Sequence, residues 1–327
     1  MRALSGIQPS GQLHLGNYFG AIRQYLALQD EHEGFYFLAN YHALTSVADG
    51  KTLRQWTLNL ATDYLALGLD PDKATIFLQS DVPEVTELTW ILSTVTPMGL
   101  LERCHAYKEK TARGLSPNHA LFGYPVLQAA DILIYQSHLV PVGQDQKQHI
   151  EVARDLALKL NNTYGELLTV PEPYILDSTA VVPGIDGQKM SKSYDNAIEL
   201  FGDEKAVRKR FLSVVTDSTP VADPKDPEQC TVYALFKLFA TEEEAAELAA
   251  AYRAGGLGYG EVKKRTAQMM LDCFAEARER RQQLAGDPDY VHDVLREGGR
   301  RARTEAQKTM ERVREATGIP IHYTPTV

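Results

Sequence analysis

A glycine-rich segment near the start of the chain has side chains suited to phosphate chemistry. It reads Gly-Ile-Gln-Pro-Ser-Gly-Gln-Leu-His-Leu-Gly-Asn from Gly6 to Asn17 and follows a short apolar stretch. Helix N-termini offer free N–H groups to phosphates, and glycines let the backbone approach a ligand closely. His14 and Asn17 are three residues apart, so both could donate hydrogen bonds from one side of a helical turn. Taken alone, the pattern fits an ordinary glycine-rich turn equally well, because short glycine patterns recur by chance.

A second segment, Lys189-Met-Ser-Lys-Ser193, places two lysines among small hydroxyl residues and follows Gly184 and Gly187. Lysine ammonium groups are compact charges that can neutralise a triphosphate. The glycines predict a mobile loop that closes on a nucleotide and opens afterwards. The commoner fate of such a loop is a solvated basic turn. We call residues 189–193 the lysine loop.

A carboxylate interrupts an otherwise apolar helical stretch, because Asp131 lies within Val126–Tyr135. Burying a carboxylate is costly unless it is paired. One interpretation is a surface or capping aspartate. The other is an acceptor for a buried hydrogen-bond donor.

The two segments together resemble the two signatures of class I aminoacyl-tRNA synthetases. His14-Leu-Gly-Asn17 resembles the first, usually His-Ile-Gly-His, with Asn17 in place of the second histidine. Lys189–Ser193 matches the second, Lys-Met-Ser-Lys-Ser, at every position. Their order and separation fit a compact member of the class.

Further stretches resemble the bacterial-type tryptophanyl-tRNA synthetases, from about residue 4 to the terminal helix. They are Gly6–Asn17, Tyr124–Leu133, Val140–His149 and Val215–Ser218.

The resemblance implies a tryptophan pocket in which Asp131 accepts the indole N–H. A site built around that bond should reject phenylalanine strongly. Gln146 is implied to bind the amino group of tryptophan. Tyr124, His42, Val140 and Val142 are implied to line the pocket, although core packing explains any one of them alone. The sequence departs from the family at two further pocket positions, where Leu4 replaces a common Phe and Gln128 a common Met.

The resemblance also implies an ATP site. Lys189, Lys192, Asn17 and Ser10 are the implied catalytic residues. The implied ATP contacts are Gln8, Pro9, Ser10, His14, Gly16, Asn17, Gly143, Gln144, Asp145, Val181 (through its backbone, to adenine), Lys189, Met190, Ser191, Lys192 and Ser193. We expect Mg²⁺ to be held by phosphates and water, with no protein metal site.

The implied reaction has two steps. The tryptophan carboxylate attacks the α-phosphorus of ATP, giving tryptophanyl-adenylate and pyrophosphate, and the acyl group then passes to tRNA(Trp). Such displacement mostly needs positioning and charge neutralisation.

The elements that position these residues alternate between strand and helix in the first half. Strands are predicted at Ala3–Gln8, Phe35–Leu44, Thr75–Gln79 and Leu139–Val142. This alternation predicts an α/β fold with a Rossmann-like, doubly wound parallel sheet, in which ligands gather at the carboxyl ends of strands.

The second half is predicted to be helical throughout, with helices including Glu261–Leu284 and a terminal Asp289–Gly318 interrupted at Gly298–Gly299. We therefore predict a catalytic domain over residues 1–195 and a helical domain over 196–327 that binds the tRNA anticodon. An alternative placement has the terminal helix packing back on the catalytic domain. The family resemblance also implies a homodimer.

The net charge of the chain and its distribution limit the kind of tRNA binding that we predict. The 327 residues include 34 Lys and Arg against 43 Asp and Glu, a net charge of −9. The acidity lies mostly in residues 1–195, with 14 basic and 21 acidic side chains, against 20 and 22 in 196–327. Basic clusters occur at 205–210, 263–265, 278–281 and 300–303, each individually explained by a solvated helix face. We expect local, salt-sensitive tRNA binding.

The three cysteines form no C-x-x-C pair, which favours reduced thiols in a cytoplasmic protein. The N-terminus has no apolar run long enough for a signal peptide, and no stretch is long and apolar enough to predict a membrane-spanning helix.

Three other functions remain open at this stage. Tyrosyl-tRNA synthetases share the catalytic fold, although Asp131 and the Gln-Pro-Ser-Gly turn favour tryptophan. A paralogue that binds nucleotide or RNA without charging it is disfavoured by the intact lysine loop. Another nucleotidyl transferase of the same fold is disfavoured by the helical region after Asn196.

Overall fold

The computed structural model describes residues 1–104, 118–143, 147–174 and 182–319. Five strands and fourteen α-helices are defined within these ranges. The strands are β1 Arg2–Ile7, β2 Glu33–Leu38, β3 Ala74–Leu78, β4 Leu139–Pro141 and β5 Glu172–Tyr174. The helices are α1 Leu15–Asn17, α2 Arg23–Leu28, α3 Asn40–Ala43, α4 Gly50–Leu67, α5 Glu84–Thr94, α6 Met98–Glu102, α7 His119–Leu133, α8 Lys147–Tyr164, α9 Glu204–Leu212, α10 Thr231–Phe236, α11 Glu242–Ala254, α12 Tyr259–Cys273, α13 Ala275–Ala285 and α14 Pro288–Thr317.

The sheet has the order β3-β2-β1-β4-β5, and every pairing is parallel. This is the doubly wound arrangement, in which the strand order reverses beside the first strand. The predicted fold class is therefore confirmed.

Buried aromatic rings form the centre of this layer. Phe35 of β2 stacks on Tyr135 with ring centroids 5.3 Å apart, and Phe77 of β3 meets Tyr135 edge-on at 5.5 Å. All three rings are buried. Strands with both faces covered read as continuous apolar runs, which explains why β2 and β3 were recognisable.

Contacts divide the chain into two compact units. Unit 1 contains Met1–Gly11, Gln24–Leu176 and Asp287–Val327, and unit 2 contains Gln12–Arg23 and Asp177–Gly286. These bounds differ from the predicted ranges 1–195 and 196–327, because unit 2 takes in the end of the glycine-rich segment and unit 1 takes in the terminal helix. The functional roles assigned to the two predicted ranges stay predictions.

One predicted strand is too long, and one observed strand was not predicted. The strand predicted over Phe35–Leu44 ends at Leu38, and the chain then forms α3. A long-range contact helps to stop the strand, since the side chain of Gln79 accepts a hydrogen bond from the N–H of Tyr41 in the first turn of α3. β5 was not predicted. It is an edge strand, where a proline such as Pro173 is tolerated.

The predicted interruption of the terminal helix is wrong, because α14 runs continuously from Pro288 to Thr317. Its glycines instead allow close packing on the sheet. A Cβ at Gly298 would lie 1.8 Å from the carbonyl oxygen of Ile76 in β3, and one at Gly299 would lie 2.8 Å from the carboxylate of Asp81. Glycine at these positions therefore lets α14 contact the backbone of β3 directly.

Unit 2 is built from helices around its own aromatic cluster. Tyr18 meets Phe274 edge-on at 4.8 Å, and Phe19 meets Phe239 at 5.6 Å. These contacts attach the end of the glycine-rich segment to the helical unit. Phe274 also separates α12 from α13, so the single helix predicted over Glu261–Leu284 is two helices. Strong helix formers on both sides concealed this break.

None of the helices in the described ranges has the length and apolar character needed to cross a membrane.

Candidate functional site

Asp131 in α7 is the centre of a buried polar network in unit 1. The residue is 2% exposed. Its Oδ2 lies 2.9 Å from Nε2 of His42, and the side-chain amide of Gln79 donates to both carboxylate oxygens at 2.9 and 2.8 Å. Burial raises the pKa of the Asp131 carboxyl, while the bonds from His42 and Gln79 oppose that rise. The carboxylate is thus paired, as its burial requires.

Aromatic side chains continue this network. The ring of Tyr124 lies edge-on to that of His42 at 6.3 Å, and its hydroxyl lies 3.1 Å from Nε2 of His149. Burial raises the pKa of the Tyr124 hydroxyl above its usual range. Three predicted pocket residues, Asp131, His42 and Tyr124, are therefore brought together by α3 and α7.

The other predicted pocket residues take less specific positions. Leu4, Val140 and Val142 belong to the buried apolar core of unit 1. Leu4 lies in β1, beside Phe35 of β2 in the strand register. Gln128 is half-buried on α7, three residues before Asp131. Gln146 lies outside the described residues.

An apolar groove opens beside the network. It encloses about 470 Å³ and is lined by α3, α5 and α7, with His42 and Tyr124 in its wall. Trp90 of α5 and Met98 of α6 also line it and are 74% and 63% exposed. Large apolar side chains exposed together mark a surface suited to a partner.

In unit 2, backbone pairing brings the glycine-rich segment to the residues that follow the lysine loop. The N–H of Leu15 bonds to the carbonyl of Ile198 at 3.0 Å, and the N–H of Leu200 bonds to the carbonyl of Leu13 at 2.9 Å. His14 lies between these bonds, and its backbone forms an isolated antiparallel β-bridge with that of Glu199. The two signature segments, separate in sequence, are thus adjacent in the fold.

The first helical turn is shaped to hold His14 and Asn17 in place. Asn17 accepts a hydrogen bond from the backbone N–H of His14 through its side-chain oxygen, at 3.1 Å. A Cβ at Gly16 would lie 3.0 Å from the His14 ring and 3.5 Å from Cβ of Met190. Glycine at this position therefore lets the turn fit against both His14 and the lysine loop.

The pKa of His14 is affected by its burial and by the nearby lysine loop. Burial, together with a smaller effect of the positive charge of Lys192, lowers the pKa of His14 to about 4. His14 is therefore neutral at physiological pH and can donate one hydrogen bond. A cavity of about 310 Å³ is lined by His14 and Lys192 together with Arg210.

Asn196 organises the lysine loop, and sequence reasoning missed it. The residue is 1% exposed. Its side-chain oxygen accepts from the N–H of Ser191 at 2.7 Å, and its amide donates to the carbonyl of Lys189 at 3.1 Å and to Asp186 at 2.8 Å. Met190 is buried, whereas Lys189 and Ser193 are exposed and Lys192 is half-buried. The loop is therefore anchored at its centre while Lys189 reaches the surface.

The remaining predicted ATP residues are spread over the chain. Pro9 is buried, Ser10 is exposed, and Gln8 donates to the hydroxyl of Ser46 at 2.8 Å. Gly143 follows the end of β4. Gln144, Asp145 and Val181 lie outside the described residues.

Several arginines of the basic clusters have structural partners. Arg278 donates to the carbonyls of Leu200 and Gly202, and Arg210 donates to the carbonyl of Ala197. In unit 1, Arg303 of α14 pairs with the buried Glu84 at 2.9 Å. Contacts with other parts of the protein therefore account for part of these basic clusters.

Gln79 is the second residue that sequence reasoning missed. It follows β3 directly, at the carboxyl end of a parallel strand, where ligand-site residues collect. That position was a usable signal. Asn196 offered a weaker one, as an amide three residues beyond the lysine loop.

A family model described as tRNA synthetases class I (W and Y) matches residues 1–275. The tryptophan--tRNA ligase of Rhodopirellula baltica is 56% identical over 319 residues, covering 98% of this chain and 100% of that protein. That of Fusobacterium nucleatum is 53% identical, covering 97% and 98%.

A crystal structure of tryptophanyl-tRNA synthetase from Campylobacter jejuni, complexed with ADP and tryptophan, is also similar. Its TM-score is 0.89 at 51% identity, covering 98% of this chain and 100% of that one. The matches extend over nearly the whole chain and include both signature segments. The chain therefore belongs to the class I aminoacyl-tRNA synthetases, within the family of bacterial-type tryptophanyl-tRNA synthetases.

Proposed function

We propose that the chain is a tryptophan--tRNA ligase that activates L-tryptophan with ATP and transfers it to tRNA(Trp). One observation carries the choice of amino acid: the buried carboxylate of Asp131 beside His42 and Tyr124. A buried acceptor beside aromatic rings matches an indole, whose polar group is a single N–H donor. Relatives at 56% and 53% identity that are tryptophan--tRNA ligases support the same choice.

In the first step, a carboxylate oxygen of tryptophan bonds to the α-phosphorus of ATP, and the bond to the bridging oxygen breaks. Pyrophosphate leaves and tryptophanyl-adenylate remains. Lys189 and Lys192 neutralise the charge that develops on the pyrophosphate, and Asn17 and Ser10 orient the phosphates. His14, being neutral, adds a hydrogen bond without adding charge. No side-chain nucleophile takes part.

One feature of this chain fits a nucleotide with its metal ion. The cavity lined by His14 and Lys192 places a neutral hydrogen-bond donor beside a cationic side chain, and both suit phosphate oxygens. Mg²⁺ often keeps several waters and binds mainly through substrate phosphates, so we assign it to ATP rather than to a protein site. It would supply charge neutralisation there.

In the second step, a hydroxyl of the terminal ribose of tRNA attacks the acyl carbon of the adenylate, and AMP leaves. Unit 2 has exposed lysines available for phosphate contacts, namely Lys205, Lys209 and Lys264. Each such contact should make binding weaker as salt increases. We place this reaction in the cytoplasm.

The groove around Trp90 supports a homodimer. A second copy of the chain would cover Trp90 and Met98, which are otherwise largely exposed. Substituting Trp90 by glutamate would leave a charge at the centre of that interface. We expect sedimentation-velocity measurements to show a dimer for the unmodified chain and a shift to monomer for Trp90→Glu.

ATP–pyrophosphate exchange with each of the twenty amino acids tests the amino acid assignment. We expect exchange with tryptophan and very little with tyrosine or phenylalanine. Exchange led by tyrosine would identify a tyrosyl enzyme. Absence of exchange with every amino acid, in a chain that still binds ATP, would identify a paralogue that does not charge tRNA.

A further inference from the structure

Gln79 connects three elements of unit 1 through its side chain. It begins the short 3-10 turn after β3 and is 1% exposed. Its amide oxygen accepts the backbone N–H of Tyr41 at 2.9 Å and that of His42 at 3.4 Å, both in α3. Its amide nitrogen donates to the two carboxylate oxygens of Asp131 in α7, at 2.9 and 2.8 Å.

These bonds determine which way the amide of Gln79 points. The oxygen faces two backbone donors, and a flipped amide would set its NH₂ group against them. A flipped amide would also turn its oxygen toward the carboxylate of Asp131. The observed orientation is therefore the one that satisfies every group, and it presents only donors to Asp131.

The hydrogen bonds also restrict the orientation of the Asp131 carboxylate. Gln79 holds both oxygens, and His42 holds Oδ2 from the other side at 2.9 Å. The backbone of His42 is in turn bonded to Gln79, so the three residues form a closed ring of contacts. A carboxylate held at both oxygens has a fixed plane and therefore a fixed direction for accepting a further hydrogen bond.

We infer that Gln79 is a positioning residue for tryptophan selectivity, holding the carboxylate of Asp131 in the orientation that accepts an indole N–H. This inference rests on the proposed function and adds a residue to it. Gln79 does not contact the amino acid; it acts through Asp131. Removing its amide should therefore weaken recognition of the N–H group and leave recognition of the rest of the ring system unchanged.

The probe is an analogue that lacks the donor, 3-benzothienyl-alanine, in which sulfur replaces the indole N–H. The test compares kcat/KM in pyrophosphate exchange for tryptophan and for this analogue. The variant is Gln79→Met, which keeps a long side chain and removes both kinds of hydrogen bond. The matched control is Gln24→Met, since Gln24 is another 1% exposed glutamine of unit 1.

We expect Gln79→Met to lower the ratio of tryptophan to analogue by roughly tenfold, the effect of about one lost hydrogen bond to a charged group. The change should come from the KM for tryptophan, with the KM for ATP unchanged. Gln24→Met should leave the ratio as it is. An equal loss for tryptophan and analogue in Gln79→Met would show a merely structural role and overturn the inference.

A second variant keeps the test decisive should Gln79→Met fail to fold. Gln79→Glu has the same shape and keeps an oxygen for the N–H of Tyr41, but it turns a carboxylate toward Asp131. It should reduce the tryptophan-to-analogue ratio as well, and an unchanged ratio would overturn the inference. Absence of tryptophan exchange in the unmodified chain would instead contradict the proposed function, so the two failures are distinguishable.

Discussion

The Asp131 network and the lysine loop differ in how their chemical groups are held. Asp131 and Gln79 are both buried, and each is bonded to groups on other elements of the sheet layer. The lysine loop is anchored by Asn196, a residue that follows it closely in the sequence. The side chain of Lys189 is exposed. The Asp131 network is held by bonds from several elements, whereas the lysine loop is held at its centre and leaves the side chain of Lys189 exposed.

This difference matches two kinds of chemical task. Selecting an N–H group requires a buried acceptor in a set direction, because a mismatched polar group is then left unpaired. Neutralising a triphosphate requires charge near the right place, which a flexible lysine supplies. The comparison predicts that variants of the first region change selectivity and variants of the second change rate.

The largest effect is expected from Asp131→Ala. This change removes the acceptor and leaves the side chains of Gln79 and His42 facing an apolar space. We expect kcat/KM for tryptophan to fall roughly 10³-fold in pyrophosphate exchange, with ATP binding retained. The control is Asp155→Ala, an exposed aspartate of α8 in the same unit. Unchanged tryptophan kinetics in Asp131→Ala would remove Asp131 from the indole role.

A comparison of two glycines tests how firmly the first region is held. Gly298→Ala places a Cβ 1.8 Å from the carbonyl of Ile76, three residues before Gln79, so α14 or β3 must move. We expect a loss of about 3 kcal/mol in the free energy of unfolding. Gly260 of α12 has open space around its Cβ position, so Gly260→Ala should stabilise by about 0.5 kcal/mol. Denaturant titration measures both, and equal effects would contradict the close packing.

The lysine loop is tested by Lys192→Ala. Because its proposed role is to stabilise charge during displacement, kcat should fall roughly 10²-fold while the KM for tryptophan stays within about threefold. Lys237→Ala, an exposed lysine of the same unit outside the basic clusters, serves as the control in pyrophosphate exchange. A change confined to the KM for tryptophan would place Lys192 in amino acid binding instead.

The smallest effect concerns His14 and acid stability. Its pKa of about 4 in the folded chain lies below the ordinary value of 6.5, so the unfolded chain takes up the proton first. The folded state therefore loses stability as the pH falls from 6.5 toward 4, by about 2 kcal/mol at pH 5.

His14→Gln removes this titration, so the stability difference between pH 7 and pH 5 should shrink by that amount in denaturant unfolding. An identical pH dependence in the two proteins would show that His14 is not shielded as its burial indicates.

The sequence predicted the two regions to different extents. Parallel strands with both faces buried produced recognisable apolar runs, so the existence of β1 to β4 was predictable, although the carboxyl end of β2 was not. Asp131 and the lysine loop were found because their residue types are unusual in their surroundings. Gln79 and Asn196 were missed because their importance comes from partners 52 residues away in one case and from loop geometry in the other. The glycines of α14 were misread as a break because helix propensity contains no information about a neighbouring strand.

The central claim is that the Asp131 network selects the amino acid while the lysine loop accelerates the reaction. Selectivity measured in the unmodified chain, Lys192→Ala and Asp131→Ala tests it. The quantity is the ratio of kcat/KM for tryptophan to that for phenylalanine in pyrophosphate exchange. We expect a ratio of roughly 10⁴ or more for the unmodified chain, the same ratio in Lys192→Ala despite its slower rate, and a collapse in Asp131→Ala. A ratio that survives Asp131→Ala, or one that falls with Lys192→Ala, would contradict the account.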